Sequence, residues 1–291
     1  MNLPGLRGLS LKRLLLETVM QFMRHDMPSY CAAVTYFMLF SSLPFLIFVL
    51  ALFGYLHVTP LFDWARQRTG AYFLPDTMEQ INHLLDLLQQ RRIGMLSAGA
   101  AASLWASSSS MRAMMRALNA VYEVREGRPI WKRYLLSVLY TLVIGMMMVL
   151  VLGLVVVSPG AIEALVHSLG MDWSISFIWA WWLRWPAAIA MLAVVIALLY
   201  GMIPDVQQRL RFVTPGAVLA VIAWLGASSA FNCYVRDVAG YDRVYGTVGT
   251  LIVIPLYTYL SSAVFLLGAE MNAVIEHHAP SGKDPGEKRI D

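Results

Sequence analysis

The chain has 291 residues, of which 58% are hydrophobic and only 14% charged. Soluble domains carry about 25% charged residues, so this composition excludes a water-soluble globule of the same size, and equally a disordered or collagen-like chain. Two cysteines are too few for a disulfide scaffold. In a membrane protein, a net charge of +4 reflects Lys and Arg held on the cytoplasmic side rather than an affinity for nucleic acid.

In chain order, residues 1–29 read as a cytoplasmic amphipathic segment. Lys12, Arg13 and Glu17 interrupt its apolar pattern, which no signal-peptide core would tolerate. Leu11, Leu15, Thr18 and Phe22 fall near one helical face, with Leu14 and Val19 beside them. That helix either lies in the inner membrane surface or packs on the bundle as a cytoplasmic helix.

A spanning helix needs about 20 mostly apolar residues. Six stretches qualify: 31–53, 93–111, 134–157, 177–203, 212–235 and 244–269. The second is rich in Ala, Gly and Ser, and Arg184 interrupts the fourth. The outer connection between the first two contains Pro75-Asp76-Thr77-Met78-Glu79, a helix start with Asp76 as cap, so an outer amphipathic helix is expected. Trp173, Trp179, Trp181, Trp182 and Trp185 form an interfacial belt. Residues 276–291 are rich in Pro, Gly and charge and read as a disordered cytoplasmic tail. With both termini inside, the inner segments hold 15 Lys and Arg against 6 outside. The positive-inside rule therefore places both ends in the cytoplasm.

The fold expected is all-α: a polytopic bundle of six transmembrane helices over residues 30–275, with an outer helical connection and an N-terminal interfacial helix. Cys31 and Cys233 fall at opposite membrane faces and are expected not to be bridged.

The ordered motifs Tyr30-Cys31-Ala32-Ala33-Val34-Thr35-Tyr36, Ser41-Ser42-Leu43-Pro44, Leu104-Trp105-Ala106-Ser107, Ala117-Leu118-Asn119-Ala120-Val121-Tyr122, Leu199-Tyr200-Gly201-Met202-Ile203-Pro204, Pro215-Gly216-Ala217 and Leu267-Gly268-Ala269-Glu270-Met271-Asn272-Ala273 resemble the YihY/BrkB family. The resemblance runs from about Tyr30 to Ile275. It implies a six-helical protein of the bacterial inner membrane. Some members of that family were labelled ribonuclease BN and others are linked to serum resistance.

The residues argue against a nuclease. His25, His57, His83, His167, His277 and His278 are scattered. No His-x-His pair with an adjacent Asp offers metal ligands, and no soluble domain is left for a metal-free site. No cofactor, metal or catalytic residue is expected. Thr247-Val248-Gly249 follows Tyr245-Gly246, the wrong order for a potassium filter, and reads as a glycine-permitted helix start.

Glu270 ends the sixth span. A carboxylate there needs a partner or water, and Arg112 and Arg116 end the second span on the same side. Asn119 and Asn272 complete a candidate polar cluster. It is either an interfacial lock between helices or a gate or proton-linked site. Pro44 frees the carbonyl of Phe40, and Ser41 and Ser42 stand near enough to serve it. Pro186 and Pro255 offer further kinks. Gly99, Ser103 and Ser107, four apart, form a small-residue packing face; Gly246 and Gly249 are close-packing candidates too.

Two function classes remain. One is a transporter or permease for a small solute, ion or lipid, passive or ion-coupled because no Walker A pattern is present. The other is a membrane scaffold for envelope integrity acting through partners. The lipid bilayer is the expected surrounding in both, and nucleic acid in neither.

Overall fold

A computed structural model describes residues 10–55, 93–156, 184–206, 214–238 and 246–278, together with the single positions 78, 82, 86 and 284 and the short stretch 286–288. Seven α-helices and no strand occur among the described residues: α1 Leu11–Arg24, α2 Met27–Tyr55, α3 Ile93–Val121, α4 Ile130–Val156, α5 Arg184–Met202, α6 Pro215–Cys233 and α7 Gly246–His277. A π-helical turn, Tyr234–Val238, continues α6.

Each of the six expected spans is met by one long helix. Five of these are long and apolar enough to cross a membrane: Met27–Phe48, Ile130–Val151, Trp185–Met202, Pro215–Arg236 and Ile252–His277. The exception is α3. It is 29 residues long, but its Ala, Gly and Ser residues gain little on transfer to hydrocarbon. The six-span expectation is therefore met as helices, and in five cases as apolar spans. Helix α3 also runs ten residues past the expected end at Met111, because Arg112 and Arg116 are good helix formers. The Trp belt before Trp185 and most of the outer connection lie outside the described residues. Met78, Asn82 and Asp86 within that connection are helical.

The chain forms two compact units, Tyr36–Ser110 and the remainder, Met1–Thr35 with Met111–Asp291. In the smaller unit, Gly99 is buried, and a Cβ there would lie 3.4 Å from the Phe48 Cα. Ser103 donates to the Ala100 carbonyl (3.0 Å), while Ser107 is half-buried. Pro44 sits inside α2. Ser41 and Ser42 donate instead to the Met38 (2.8 Å) and Leu39 (2.7 Å) carbonyls, the back-bonding that short hydroxyl side chains reach most easily. Neither serves the carbonyl of Phe40.

In the larger unit α7 packs against α6 and α1, while α5 packs against α4 and α6. The core gathers Met27 and Cys31 of α2, Met115 and Leu118 of α3, Tyr200 of α5, Ala217 of α6, and Leu266 and Ala269 of α7. Gly216 and Gly268 bring α6 and α7 together. A Cβ on Gly268 would come within 2.6 Å of the Gly216 carbonyl oxygen and the Tyr200 hydroxyl. Trp224 Nε1 donates to Ser261 (3.1 Å), and the Ser228 and Tyr257 hydroxyls share a bond of 3.0 Å. Small residues and hydroxyl bonds are what fastens helices where lipid supplies no hydrophobic drive. The glycines at this crossing are not the expected Gly246 and Gly249. Those two stand in the first described turn of α7, and their surroundings lie outside the described residues. Pro255 is inside α7. Pro186 stands in the first described turn of α5, and the residues before Arg184 lie outside the described residues.

Helix α1 is capped by Ser10, whose hydroxyl accepts from Arg13 N–H. It buries Leu14 against Met271, Val274 and Ile275 of α7, with Thr18 and Phe22 also buried. Leu16, Val19, Met20 and Met23 are exposed. One face of this helix thus packs on the bundle, as the second reading has it, and another is an exposed apolar strip.

Candidate functional site

Four segments expected on the inner side meet at one end of the larger unit: the α1–α2 turn, the α3–α4 connection, the residues after α5, and the end of α7 with part of the tail. The α1–α2 turn holds His25, and Asp26 follows it at φ 54°. Helix α3 ends in a Schellman-type cap. Val124 N–H reaches back to the Asn119 carbonyl (2.9 Å), and Glu123 takes the left-handed position at φ 54°. That position normally belongs to glycine. A glutamate there costs about 1–2 kcal/mol, so two strained residues flank one point.

At that point His25 stands between two carboxylates. Its Nδ1 lies 2.8 Å from Glu270 Oε1, and its Nε2 lies 3.1 Å from Glu123 Oε1. Glu270 is completely buried, and its Oε2 has no hydrogen-bond partner among the described residues. The hydrogen bond to Glu270 holds the His25 pKa above its ordinary value; burial opposes this, and Glu123 adds to the rise. An imidazolium donates to both acids at once. A neutral ring satisfies both contacts only if one carboxyl carries the proton. The three groups therefore form one unit able to pass a proton among them.

This replaces the expected Glu270–arginine pair. Arg112 instead donates to the Ser137 hydroxyl (3.2 Å) and lies 4.3 Å above the Tyr134 ring, while Arg116 is exposed. Arg112 leaves α3 toward α4, and the histidine that reaches Glu270 lies 245 residues away in the chain. Glu270 and His25 are too far apart in sequence for spacing to join them, so the partner was missed. The available signal was that His25 adjoins the first apolar span.

Asn119 and Asn272 serve other networks than the expected cluster. Asn119 donates to Glu126 Oε2 (3.0 Å) and accepts from Asp205 N–H (2.8 Å). Asn272 accepts from Gly216 N–H (2.8 Å) and donates to the Thr214 hydroxyl (2.9 Å). It thereby ties α7 to the cap of α6, where Thr214 also accepts from Ala217 N–H.

Asp205 is a second focus. It accepts from Gly127 N–H (2.9 Å) and pairs with Arg128 Nε (3.2 Å) and Lys288 Nζ (2.6 Å). Burial pushes the Asp205 pKa up, but these donors and charges bring it below the ordinary carboxylate value. Arg128 also donates to the Ile203 (3.1 Å) and Pro204 (3.0 Å) carbonyls. The tail, expected to be disordered, is thus held at Lys288, and a Cβ at Gly286 would lie 3.4 Å from the Glu123 carbonyl oxygen. Composition gave no warning of these partners. Among the described residues no three His, Cys, Asp or Glu side chains are grouped to hold a metal ion, and no disulfide joins Cys31 and Cys233.

The family described as "Virulence factor BrkB" matches residues 18–291. The ribonuclease-like protein YfkH of Bacillus subtilis (strain 168) is 34% identical over 89% of this chain and 94% of its own length. A UPF0761 membrane protein of Ralstonia nicotianae is 27% identical over 94% of this chain and 60% of its own length. Another, of Xanthomonas campestris pv. campestris (strain B100), is 28% identical over 82% of this chain and 55% of its own. The chain thus spans nearly all of the first relative but under two thirds of the other two. No solved structure matches. With only helices among its described residues, five of them apolar enough to span a membrane, and matched by this family over residues 18–291, the chain belongs to the BrkB family of membrane proteins.

Proposed function

We propose that the chain is a proton-linked transporter or permease of the bacterial inner membrane, with both termini cytoplasmic. Its cargo is a small solute, an ion or a lipid, and it is not an enzyme. One observation carries the reading: Glu270 is completely buried, with one oxygen on His25 and the other unpartnered among the described residues. A buried carboxylate at the end of a span is costly, and residues of this kind mark proton and ion pathways in membrane proteins. His25 and the half-exposed Glu123 give it a route toward the inner face.

The second reading is a membrane scaffold. It is favoured by the same contacts, because they fasten both ends of the chain together. The ribonuclease-like name of the Bacillus relative would require nucleic acid as a partner. The inner-end acids here are engaged with His25, Arg128 and Lys288, and the reading proposed has no place for RNA.

Purified protein in liposomes, adsorbed to a solid-supported membrane, tests this directly. A pH step should evoke a protein-dependent current that Glu270→Gln abolishes while its thermal unfolding stays cooperative. If wild type carries no current in either direction, the scaffold stands.

A further inference from the structure

Helix α1 is attached to the larger unit by a short turn and by two crossed pairs of side chains. The turn is His25 and Asp26, with Asp26 in the left-handed region at φ 54°, and α2 begins at Met27. Glu17, Gln21 and His25 follow one another at intervals of four, so they share one helical face. Glu17 and His25 both reach the end of α7, where each helix supplies one acid and one histidine. His25 Nδ1 lies 2.8 Å from Glu270 Oε1, and His278 Nε2, just past the end of α7, lies 3.4 Å from Glu17 Oε2.

The second pair carries a protonation state in its geometry. His278 Nδ1 is 2.9 Å from the Val274 carbonyl oxygen. A carbonyl only accepts, so Nδ1 holds a proton. In a neutral ring Nε2 is then a bare acceptor, and it faces the Glu17 carboxylate lone pair to lone pair. Only the imidazolium makes that contact attractive. His25 is set in the same way: Glu270 and Glu123 each offer an oxygen to one of its nitrogens, and a neutral ring can donate to one of them alone.

The remaining contacts of α1 with α7 are mixed. Leu14 packs against Met271, Val274 and Ile275. Against this, Glu17 Oε2, Gln21 Oε1 and Glu270 Oε2 are buried with no hydrogen-bond partner among the described residues. Unmet oxygens oppose burial, so the charges on the two histidines weigh in the balance. The groups facing His25 are Glu270 and His277 of α7 and Glu123 after α3. Those facing His278 are His277 and, from α1, Glu17 with its own partner Arg13 at 2.7 Å. Asp284 of the tail faces His277 as well.

We propose that α1 is a pH-operated arm, clasped on α7 while His25 and His278 are both protonated and swinging about the His25–Asp26 turn when they lose their protons. Imidazoles change charge between about pH 5 and 8. Release lifts Leu14 from α7 and takes His25 off Glu270. The device concerns the docking of α1 and stands whether or not the protein carries a proton across the membrane.

The test uses the full chain in detergent with Cys233→Ser, so that the exposed native cysteine takes no label. Spin labels go on Leu16→Cys of α1 and Ile222→Cys of α6, both exposed, and their separation is read by double electron–electron resonance at about pH 5.5 and 8.5. One narrow distance is expected at the lower pH. At the higher pH a longer, broader distance should gain severalfold in population, while a control pair, Leu135→Cys with Ile222→Cys, stays fixed. The His278 side chain is 39% exposed, so its variants should fold. His278→Arg, charged at both pH values, should keep the narrow distance at the higher pH, and His278→Ala should show the longer one already at the lower pH. Identical distances at the two pH values would overturn the proposal, as would a pH response that neither His278 variant alters. An equal change in the control pair would place the motion in the bundle and overturn it too.

Discussion

His25 Nδ1 rests 2.8 Å from Glu270 Oε1, although 245 residues separate the two in the chain. One comes from the turn before the first span and the other from the end of the last, so a single contact joins the chain's beginning to its end inside a buried site.

Removing the histidine leaves a buried carboxylate without a partner. His25→Ala should therefore cost about 3–5 kcal/mol, and Glu270→Gln less. The double variant should lose less than the sum by about 0.5–3 kcal/mol. Chemical unfolding of the four proteins in one detergent measures the coupling. Strict additivity would mean that the contact contributes nothing.

The pH dependence has a definite sign. His25 has a folded pKa above its ordinary 6.5, so its stabilisation is fully present below pH 6.5 and is lost as pH rises through the raised value. The groups facing it are Glu270, Glu123 and His277. The midpoint of thermal unfolding should fall over that window in wild type, and the fall should flatten in His25→Gln. Asp205 works in the other direction. Its pKa lies below the ordinary 3.8, so its stabilisation is present above pH 3.8 and is lost as pH falls through the lowered value.

Glu123 offers a way to separate backbone from side chain. At φ 54° glycine is unstrained and alanine is not. Both Glu123→Gly and Glu123→Ala lose the carboxylate, but the glycine variant should be the more stable by about 1 kcal/mol. Equal stability would show that the left-handed turn carries no strain.

The crossing of α6 and α7 makes a sterically sharp prediction. Gly268→Ala would drive a methyl into the Gly216 carbonyl and the Tyr200 hydroxyl, and overpacking of this kind costs about 1–3 kcal/mol. Gly226→Ala, on the same α6 but with nothing within 4 Å, should leave unfolding unchanged or slightly delayed. Similar losses at both positions would count against the close approach.

The proposed orientation predicts that a reporter active only in the periplasm is silent when fused after Ile275 and active when inserted near Gly70. The reverse pattern would place both termini outside.

The helices were legible in the sequence because each span is a long run with few charges, a property every residue of the run shares. The Ile93–Val121 helix was legible as a helix yet only weakly as a span, since Ala, Gly and Ser fit both interiors. Glu270 stood out because one carboxylate interrupts an apolar run. Its partner did not, because side-chain pairing across 245 residues depends on which helices are neighbours, and hydropathy carries no neighbour information. Depth alone put Arg112 and His25 on equal terms, and the packing of α1 on α7 decided between them. The Gly216–Gly268 crossing was hidden for the same reason, although Gly216 and Gly268 both stand in motifs that resemble the family.

The tie between His25 and Glu270 also sets an order of events during synthesis. The N-terminal residues leave the ribosome first, yet the acid that His25 needs is made 245 residues later. Until α7 has been made, α1 has no Met271, Val274 or Ile275 to cover Leu14, and this end of the unit stays open. Closure of this end thus waits until α7 has been made. A chain truncated before α7 would leave Leu14 uncovered and His25 without Glu270, a ready mark for membrane quality control.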